Sequence, residues 1–163
     1  MADIPYRFED HPGKDPAESI PIELDWFSYC ANFWRANEVV TSSEFVRPNT
    51  RRATGFSYEA TAAGTTSNRE PVWPTIIGLM VVDGSVTWTC RAAGTNGLNV
   101  LSAPSAVSEP TGLTISSISA AENTKVRATY VGGTLDQDYD AVFTVIINGV
   151  PRVGRQRVMV RKR

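Results

Sequence analysis

Short runs of alternating apolar and polar side chains, separated by tight-turn dipeptides, restrict this chain to a β-rich fold. Val86, Trp88 and Cys90 alternate with threonine and arginine after the pair Asp83-Gly84. Asp-Gly and Asn-Gly pairs favour two-residue hairpin turns because both central residues tolerate positive φ. Asp83-Gly84 and, later, Asn148-Gly149 therefore predict two hairpins.

The C-terminal third continues the β pattern. Residues 113–118 and 125–131 alternate with period two, and Gly132-Gly133 then interrupts the chain. Residues 139–147 are mostly apolar on both faces, which predicts a central strand, and residues 155–162 alternate loosely. Several short strands with closely spaced turn signals predict an all-β fold, specifically an immunoglobulin-like β-sandwich.

Only residues 25–36 have a helical pattern. Asp25 is a candidate N-cap, and Trp26 and Trp34 fall on one apolar face of a 3.6-residue period. We therefore predict a short N-terminal helix whose aromatic face packs in the core. The alternative is that this face docks on a partner. Residues 38–46 are then predicted as a strand.

Changes in composition divide the chain into three predicted parts. Residues 1–21 contain four prolines, which predict an extended N-terminal arm because proline cannot donate to a strand ladder. Residues 48–97 follow a proline-asparagine boundary and are rich in threonine, glycine and alanine, which predicts an inserted β-lobe. Residues 22–47 and 98–163 then form the sandwich.

The overall composition argues against several classes of partner. The chain has 163 residues, of which 42% are hydrophobic and 20% charged, as in a globular domain. Its longest apolar stretch, residues 76–82, is far shorter than the roughly 20 residues of a spanning helix. A net charge of −1 gives no bulk attraction for phosphate backbones. We therefore expect neither a membrane nor a nucleic acid as partner.

The sequence offers few groups for catalysis or metal binding. Its one histidine, His11, lies in a polar, proline-rich stretch. Cys30 and Cys90 have no CxxC spacing, so we expect two buried thiols in a reducing compartment. The acidic residues are scattered, without a calcium-loop pattern. We therefore predict no catalytic residue, no cofactor, no metal and no enzymatic activity.

The two ends of the chain carry opposite charge. Residues 1–25 have seven acidic and two basic residues, whereas residues 150–163 have six basic residues and no acidic one. One interpretation is two solvated ends. Our hypothesis is that the acidic arm of one subunit docks on the basic end of a neighbour. The candidate contact residues are charged residues of the two ends and one tryptophan of the inserted lobe: Asp3, Glu9, Asp10, Trp73, Arg155, Arg157, Arg161, Lys162 and Arg163.

Two parts of the sequence resemble structural proteins of tailed phages. Asp25-Trp26, Thr41-Ser42-Ser43-Glu44-Phe45 and the later glycine turns are similar to the β-sandwich domain of phage fibre-tail adaptor proteins. Glu70-Pro71-Val72-Trp73-Pro74, followed by Asp83-Gly84-Ser85-Val86-Thr87-Trp88, resembles a short β-module of phage tail, fibre and neck proteins. The insertion at residues 48–97 departs from the usual adaptor domain.

The resemblance implies a structural virion protein, assembled in the host cytoplasm and located in the neck or tail. It implies an adaptor in a multi-copy ring that links the tail to its fibres. The expected partners are identical subunits and other phage neck, tail and fibre proteins. Neither family pattern contains a catalytic motif. The contacts are expected from the acidic arm, the basic C-terminus and the exposed face of the inserted lobe.

Two other functions are compatible with the sequence. A carbohydrate-binding module would use Trp73, Trp88 and Tyr58 as an aromatic platform, although Trp88 is in phase with Val86 and is predicted to be core. A hydrolase would need two carboxylates at a suitable separation, and Glu59, Glu70 and Asp83 are the candidates.

Overall fold

The computed structural model describes residues 6–49 and 55–162, and this part of the chain is all-β with one short helix. In chain order the elements are β1 (Tyr6–Arg7), β2 (His11–Lys14), β3 (Ser19–Asp25), α1 (Phe27–Cys30), β4 (Val39–Val40), β5 (Phe45–Val46), β6 (Phe56–Ala62), β7 (Gly64–Thr65), β8 (Met80–Asp83), β9 (Val86–Ala92), β10 (Leu101–Glu109), β11 (Leu113–Ala121), β12 (Lys125–Gly132), β13 (Asp138–Ile147) and β14 (Val150–Val160).

The chain divides into two compact units. Unit 1 comprises Met1–Cys30 and Val100–Arg163, and unit 2 comprises Ala31–Asn99. Unit 2 begins at Ala31, whereas the inserted lobe was predicted to begin at residue 48. Residues 31–47, which were predicted to belong to the sandwich, lie in unit 2.

Unit 1 contains two sheets. The first has the order β1-β14-β13-β10, and β2 also pairs with β14. The short strands β1 and β2 run parallel to β14, whereas the other pairings in this sheet are antiparallel. The second sheet is antiparallel with the order β11-β12-β3. As predicted, β13 is an interior strand.

One hydrophobic core is built from residues of both unit 1 sheets. Trp26, Tyr130 and Phe143 are fully buried in it. The ring of Phe8 meets Trp26 edge-on at a centroid distance of 5.1 Å. Gly154 lies beneath this pair, and a Cβ at that position would come within 2.5 Å of Phe8 and 2.7 Å of Trp26. The aromatic pair therefore requires a residue without a side chain on β14.

Unit 2 contains an antiparallel sheet of order β5-β6-β9-β8 and a separate β4-β7 pair. Its own core includes Trp34, Tyr58, Trp73, Val86, Trp88 and Cys90. Val86, Trp88 and Cys90 are all fully buried, as the alternation of β9 predicts, although Thr89 on the opposite face is also buried.

Both predicted hairpins are present, one with a shifted turn. Asn148 and Gly149 join β13 to β14 with φ of 50° and 73°, as a two-residue turn with positive φ at both central positions requires. In the other hairpin Asp83 pairs with Val86, so the turn consists of Gly84 and Ser85. Gly84, with φ of 62°, is the first central residue, and Asp83 is the last residue of β8.

The predicted helix over residues 25–36 is too long. Asp25 Oδ1 accepts a hydrogen bond from the Phe27 amide at 2.8 Å, as a capping side chain does, but the helix ends at Cys30. Ala31 then forms a bridge with Leu98 in unit 2, which takes its backbone out of helical geometry. Trp26 and Trp34 consequently belong to two different cores.

Two further local predictions need correction. The predicted strand over residues 38–46 is split into β4 and β5, because Ser43 has φ of 70°. The predicted N-terminal arm is paired from residue 6 onwards: β2 joins β14 and β3 joins β12. His11 and Lys14 are buried there, although the proline-rich sequence suggested solvent.

Candidate interaction surface

The most distinctive surface of unit 2 is an exposed apolar segment that ends in β8. Val72 is 92% exposed and Val82 is 69% exposed, and the four large apolar side chains between them in this set are at least half exposed. No charged residue occurs between Glu70 and Asp83. We call this set the apolar edge; its members are Val72, Ile76, Ile77, Leu79, Met80 and Val82.

The β8–β9 hairpin places two members of the apolar edge on the outside. Successive side chains of a strand point to opposite faces. Val81 and Asp83 therefore point to the face that carries Trp88 and Val86, their partners on β9. Met80 and Val82 point to the other face, where they are paired with Thr89 and Thr87.

One side of the β8 backbone has no neighbouring strand among the described residues. In the order β5-β6-β9-β8, β8 is the last strand. In a two-residue hairpin the residues that flank the turn exchange hydrogen bonds, and the alternate pairs do the same. The bond from the Cys90 amide to the Leu79 carbonyl, 2.8 Å, follows this alternation. The N–H and C=O groups of Met80 and Val82 therefore point away from β9.

A buried carboxylate fixes the hairpin beside this surface. Asp83 is 2% exposed. Its Oδ2 accepts hydrogen bonds from Trp34 Nε1 at 2.7 Å and Trp88 Nε1 at 3.1 Å. Its Oδ1 accepts one from the Ser67 amide at 2.9 Å and another from the Ser67 hydroxyl. The carboxylate therefore ties the end of β8 to two tryptophans of the core.

These contacts also determine the protonation of Asp83. Burial raises the pKa of this carboxyl group, because the charged form loses its hydration. The hydrogen bonds from Ser67, Trp34 and Trp88 outweigh this effect and hold the pKa below its ordinary value of 3.8. Asp83 is thus ionised at neutral pH and acts as an acceptor only.

The aromatic rings proposed as a sugar platform lie in the core. Trp73 is 8% exposed, and Tyr58 and Trp88 are fully buried. The Trp73 ring lies 4.2 Å from that of Tyr58 and 6.0 Å from that of Trp88, measured between centroids. Trp73 Nε1 donates to Glu70 Oε1 at 2.7 Å. These rings are therefore not a surface platform. Trp73, which was predicted as a contact residue, packs in the core of unit 2.

The three carboxylates considered for hydrolysis have separate structural partners. Glu59 forms an ion pair with Arg91 on the neighbouring strand, with Oε2 and Nε 2.8 Å apart. Glu70 accepts hydrogen bonds from Trp73 and from the amide of Asn49. Asp83 is occupied by the indoles and Ser67, as described above. Each of the three carboxylates therefore stabilises the structure around it through hydrogen bonds or an ion pair.

The charged residues predicted as contacts fall into three groups: some lie outside the described residues, some are exposed, and some form ion pairs within unit 1. Asp3 and Arg163 lie outside the described residues, and Glu9, Asp10 and Lys162 are exposed. Three of the predicted arginines have acidic partners on β10 and β13: Arg155 with Glu109 at 2.6 Å, and Arg157 and Arg161 with Asp138. Asp10 lies 3.6 Å from Arg7. Docking of the acidic arm on a neighbour's basic end stays a prediction.

The remaining candidates for chemistry are buried. Cys30 and Cys90 are buried free thiols, in unit 1 and unit 2 respectively. Burial, with a contribution from Asp25, raises the pKa of Cys30 to about 11. His11 packs edge-on against Tyr130 at a centroid distance of 5.8 Å. Among residues 6–49 and 55–162, no three His, Cys, Asp or Glu side chains are grouped to hold a metal ion.

None of the residues of the apolar edge was among the predicted contact residues. Residues 76–82 stood out only as a stretch too short for a membrane span. An uncharged apolar run beside a tight turn is equally compatible with a buried strand, and only the fold shows which of its side chains are covered. No helix in the described part of the chain is long and apolar enough to cross a membrane.

Comparison of this chain with protein-family models, curated proteins and solved structures finds no match.

Proposed function

We propose that this chain is a structural adaptor of a tailed-phage virion, present in a multi-copy ring at the neck or tail that links the tail to its fibres. In this proposal unit 1 is the immunoglobulin-like sandwich of the adaptor and unit 2 is its contact lobe. Its partners are identical subunits and other neck, tail and fibre proteins. The sequence resemblance to phage adaptor domains and to a phage tail β-module supports this assignment.

The apolar edge is the observation that carries the proposal. Six large aliphatic side chains between residues 72 and 82 are each at least half exposed. Such a patch is typical of a protein contact. In a multi-copy assembly one modest contact recurs, and the assembly gains avidity from the repetition.

The cores support the same role, since an adaptor must present its contacts on a rigid frame. Unit 1 buries Trp26, Tyr130 and Phe143, and unit 2 buries Tyr58 and Trp88 around Asp83. Close-packed cores have low compressibility. Each unit thus has the internal packing that a scaffold needs.

Deletion of the coding sequence from its phage tests the proposal. We expect particles that assemble heads but lack attached fibres in electron micrographs, and restoration by the chain supplied from a plasmid. Cryo-electron microscopy of the intact particle should place the chain in a symmetric ring. Fully fibred particles from the deletion, or absence of the chain from purified virions by mass spectrometry, would contradict the proposal.

A further inference from the structure

We propose that β8 pairs edge to edge with β8 of a second copy of this chain, so that two unit 2 sheets join into one continuous antiparallel sheet. This inference concerns self-association of the isolated chain and does not rest on the virion role. It follows from the backbone, the side chains and the lack of charge at this edge.

The first argument is the set of backbone groups that β8 leaves unpaired. Met80 and Val82 direct N–H and C=O groups away from β9, and β8 has no further neighbour in its sheet among the described residues. An exposed edge of this kind is a template for another strand.

The second argument is that the edge is complementary to itself. In an antiparallel pairing centred on Val81, Met80 of one copy lies opposite Val82 of the other. Both residues present outward-facing backbone groups, so this register allows about four backbone hydrogen bonds. Met80 and Val82 then meet on the same face, where they are 66% and 69% exposed in the single chain. A strand from an unrelated protein would match only if it had the same spacing.

The third argument is charge and area. No charged side chain occurs between Glu70 and Asp83, so two copies can approach without burying an unpaired charge. Strand pairing at Met80–Val82 covers chiefly the side chains of Met80 and Val82, so the interface is at the small end of specific protein contacts. We therefore expect a dimer in the micromolar range. A two-fold contact closes at two copies, so a ring would need another interface.

Sedimentation equilibrium of the full chain, from roughly 1 μM to roughly 200 μM, tests the pairing. We expect monomer at the low end and dimer at the high end for the wild type. Val82→Lys places a charge on the paired face and should raise the dissociation constant about tenfold or more. Val107→Lys is the matched control, because Val107 is 59% exposed on the edge strand β10 and should leave dimerisation unchanged.

A second variant tests the pairing through the backbone. Val82→Pro removes an N–H that points away from β9, a position where an edge strand tolerates proline. It should abolish the dimer while circular dichroism and the unfolding midpoint remain close to the wild type. A wild type that stays monomeric throughout would overturn the proposal and leave the edge for a different protein. Dimers that persist in folded Val82→Lys or Val82→Pro, or that disappear in Val107→Lys, would also overturn it.

Discussion

The two units differ in how their sheet edges are protected. In unit 1, β10 contains Pro104 and has a register shift after Ser102, and β11 is interrupted by Ser117, whose φ is 51°. The other edge of its second sheet, β3, contains Pro21. Prolines and bulges prevent edge-to-edge pairing. In unit 2, β8 has neither a proline nor a register shift, so its outer edge lacks these protections.

The cores show a related difference. In unit 1 the indole of Trp26 is buried without a hydrogen-bond partner for Nε1 among the described residues. In unit 2 two indoles donate to the buried Asp83, while its neighbour Val82 is exposed. In unit 2 the carboxylate of Asp83 is thus buried in the core, whereas the side chain of Val82 is exposed to solvent. This inversion separates the residue that stabilises the hairpin from the residues that can bind.

The largest expected effect comes from removing the buried carboxylate. Asp83→Ala leaves two indole N–H groups and the Ser67 amide without their acceptor, so we expect unit 2 to lose about 3 kcal/mol or more of unfolding free energy. Three of the four tryptophans lie in unit 2, so urea unfolding followed by tryptophan fluorescence reports on it. Glu38→Ala is the control, because its ion pair with Arg35 is solvent-exposed and should contribute less than about 1 kcal/mol. Equal losses in both variants would contradict the anchoring role.

The same carboxylate predicts an acid dependence. Because hydrogen bonds hold the folded-state pKa of Asp83 below 3.8, its contribution is complete above that pH and is lost as the pH falls through the folded-state pKa. We expect the unfolding free energy of unit 2 in the wild type to decrease as the pH falls below 3.8, the ordinary pKa of an aspartate. In Asp83→Asn this part of the acid-induced loss should be absent, which urea titrations at neutral and acidic pH can measure. Parallel acid curves for the two proteins would refute the assignment.

A smaller effect is expected from tightening the unit 1 core. Gly154→Ala adds a methyl group where Phe8 and Trp26 leave no room, and overpacking of this kind costs about 1–3 kcal/mol. Thermal unfolding followed by near-ultraviolet circular dichroism measures the change. Gly55→Ala is the control, because among the described residues, apart from its neighbours in the chain, no heavy atom lies within 4 Å of the added carbon. An unchanged midpoint for Gly154→Ala would show that the aromatic pair is packed less tightly than described.

The smallest effect is expected at the charged surface of the β3–β12 pair. Glu23 forms ion pairs with Lys125 and Arg127 at 2.8 and 2.9 Å, and these bonds lower its pKa. Glu23→Gln should produce a slight loss of stability at low salt that disappears at about 1 M salt, where the Debye length is about 3 Å. Urea midpoints at the two salt concentrations check this. A loss that is independent of salt would indicate packing rather than charge.

Local patterns predicted much of the fold because strands and hairpins are determined over few residues. The alternation of β9, the interior position of β13 and the Asn148-Gly149 turn all follow from neighbouring side chains. The helix predicted over residues 25–36 was too long, because Trp26 and Trp34 share a helical period but are buried in different cores. Tertiary contacts override local periodicity here.

The candidate surface was less predictable. Trp73 looked like a binding residue by type, yet its ring fills the core against Tyr58. The apolar edge looked like buried sequence, because apolar side chains are usually inside. Whether Val82 or Asp83 is covered depends on where the turn begins, and the sequence signal placed it one residue early.

Amide hydrogen exchange resolved by residue, measured on the full chain at two concentrations, tests the open edge most directly. The amides of Met80 and Val82 should exchange fast in dilute solution and become protected at high concentration, whereas Val81, already bonded within the hairpin, should be protected at both. Exchange at Met80 and Val82 that is independent of concentration would contradict the account.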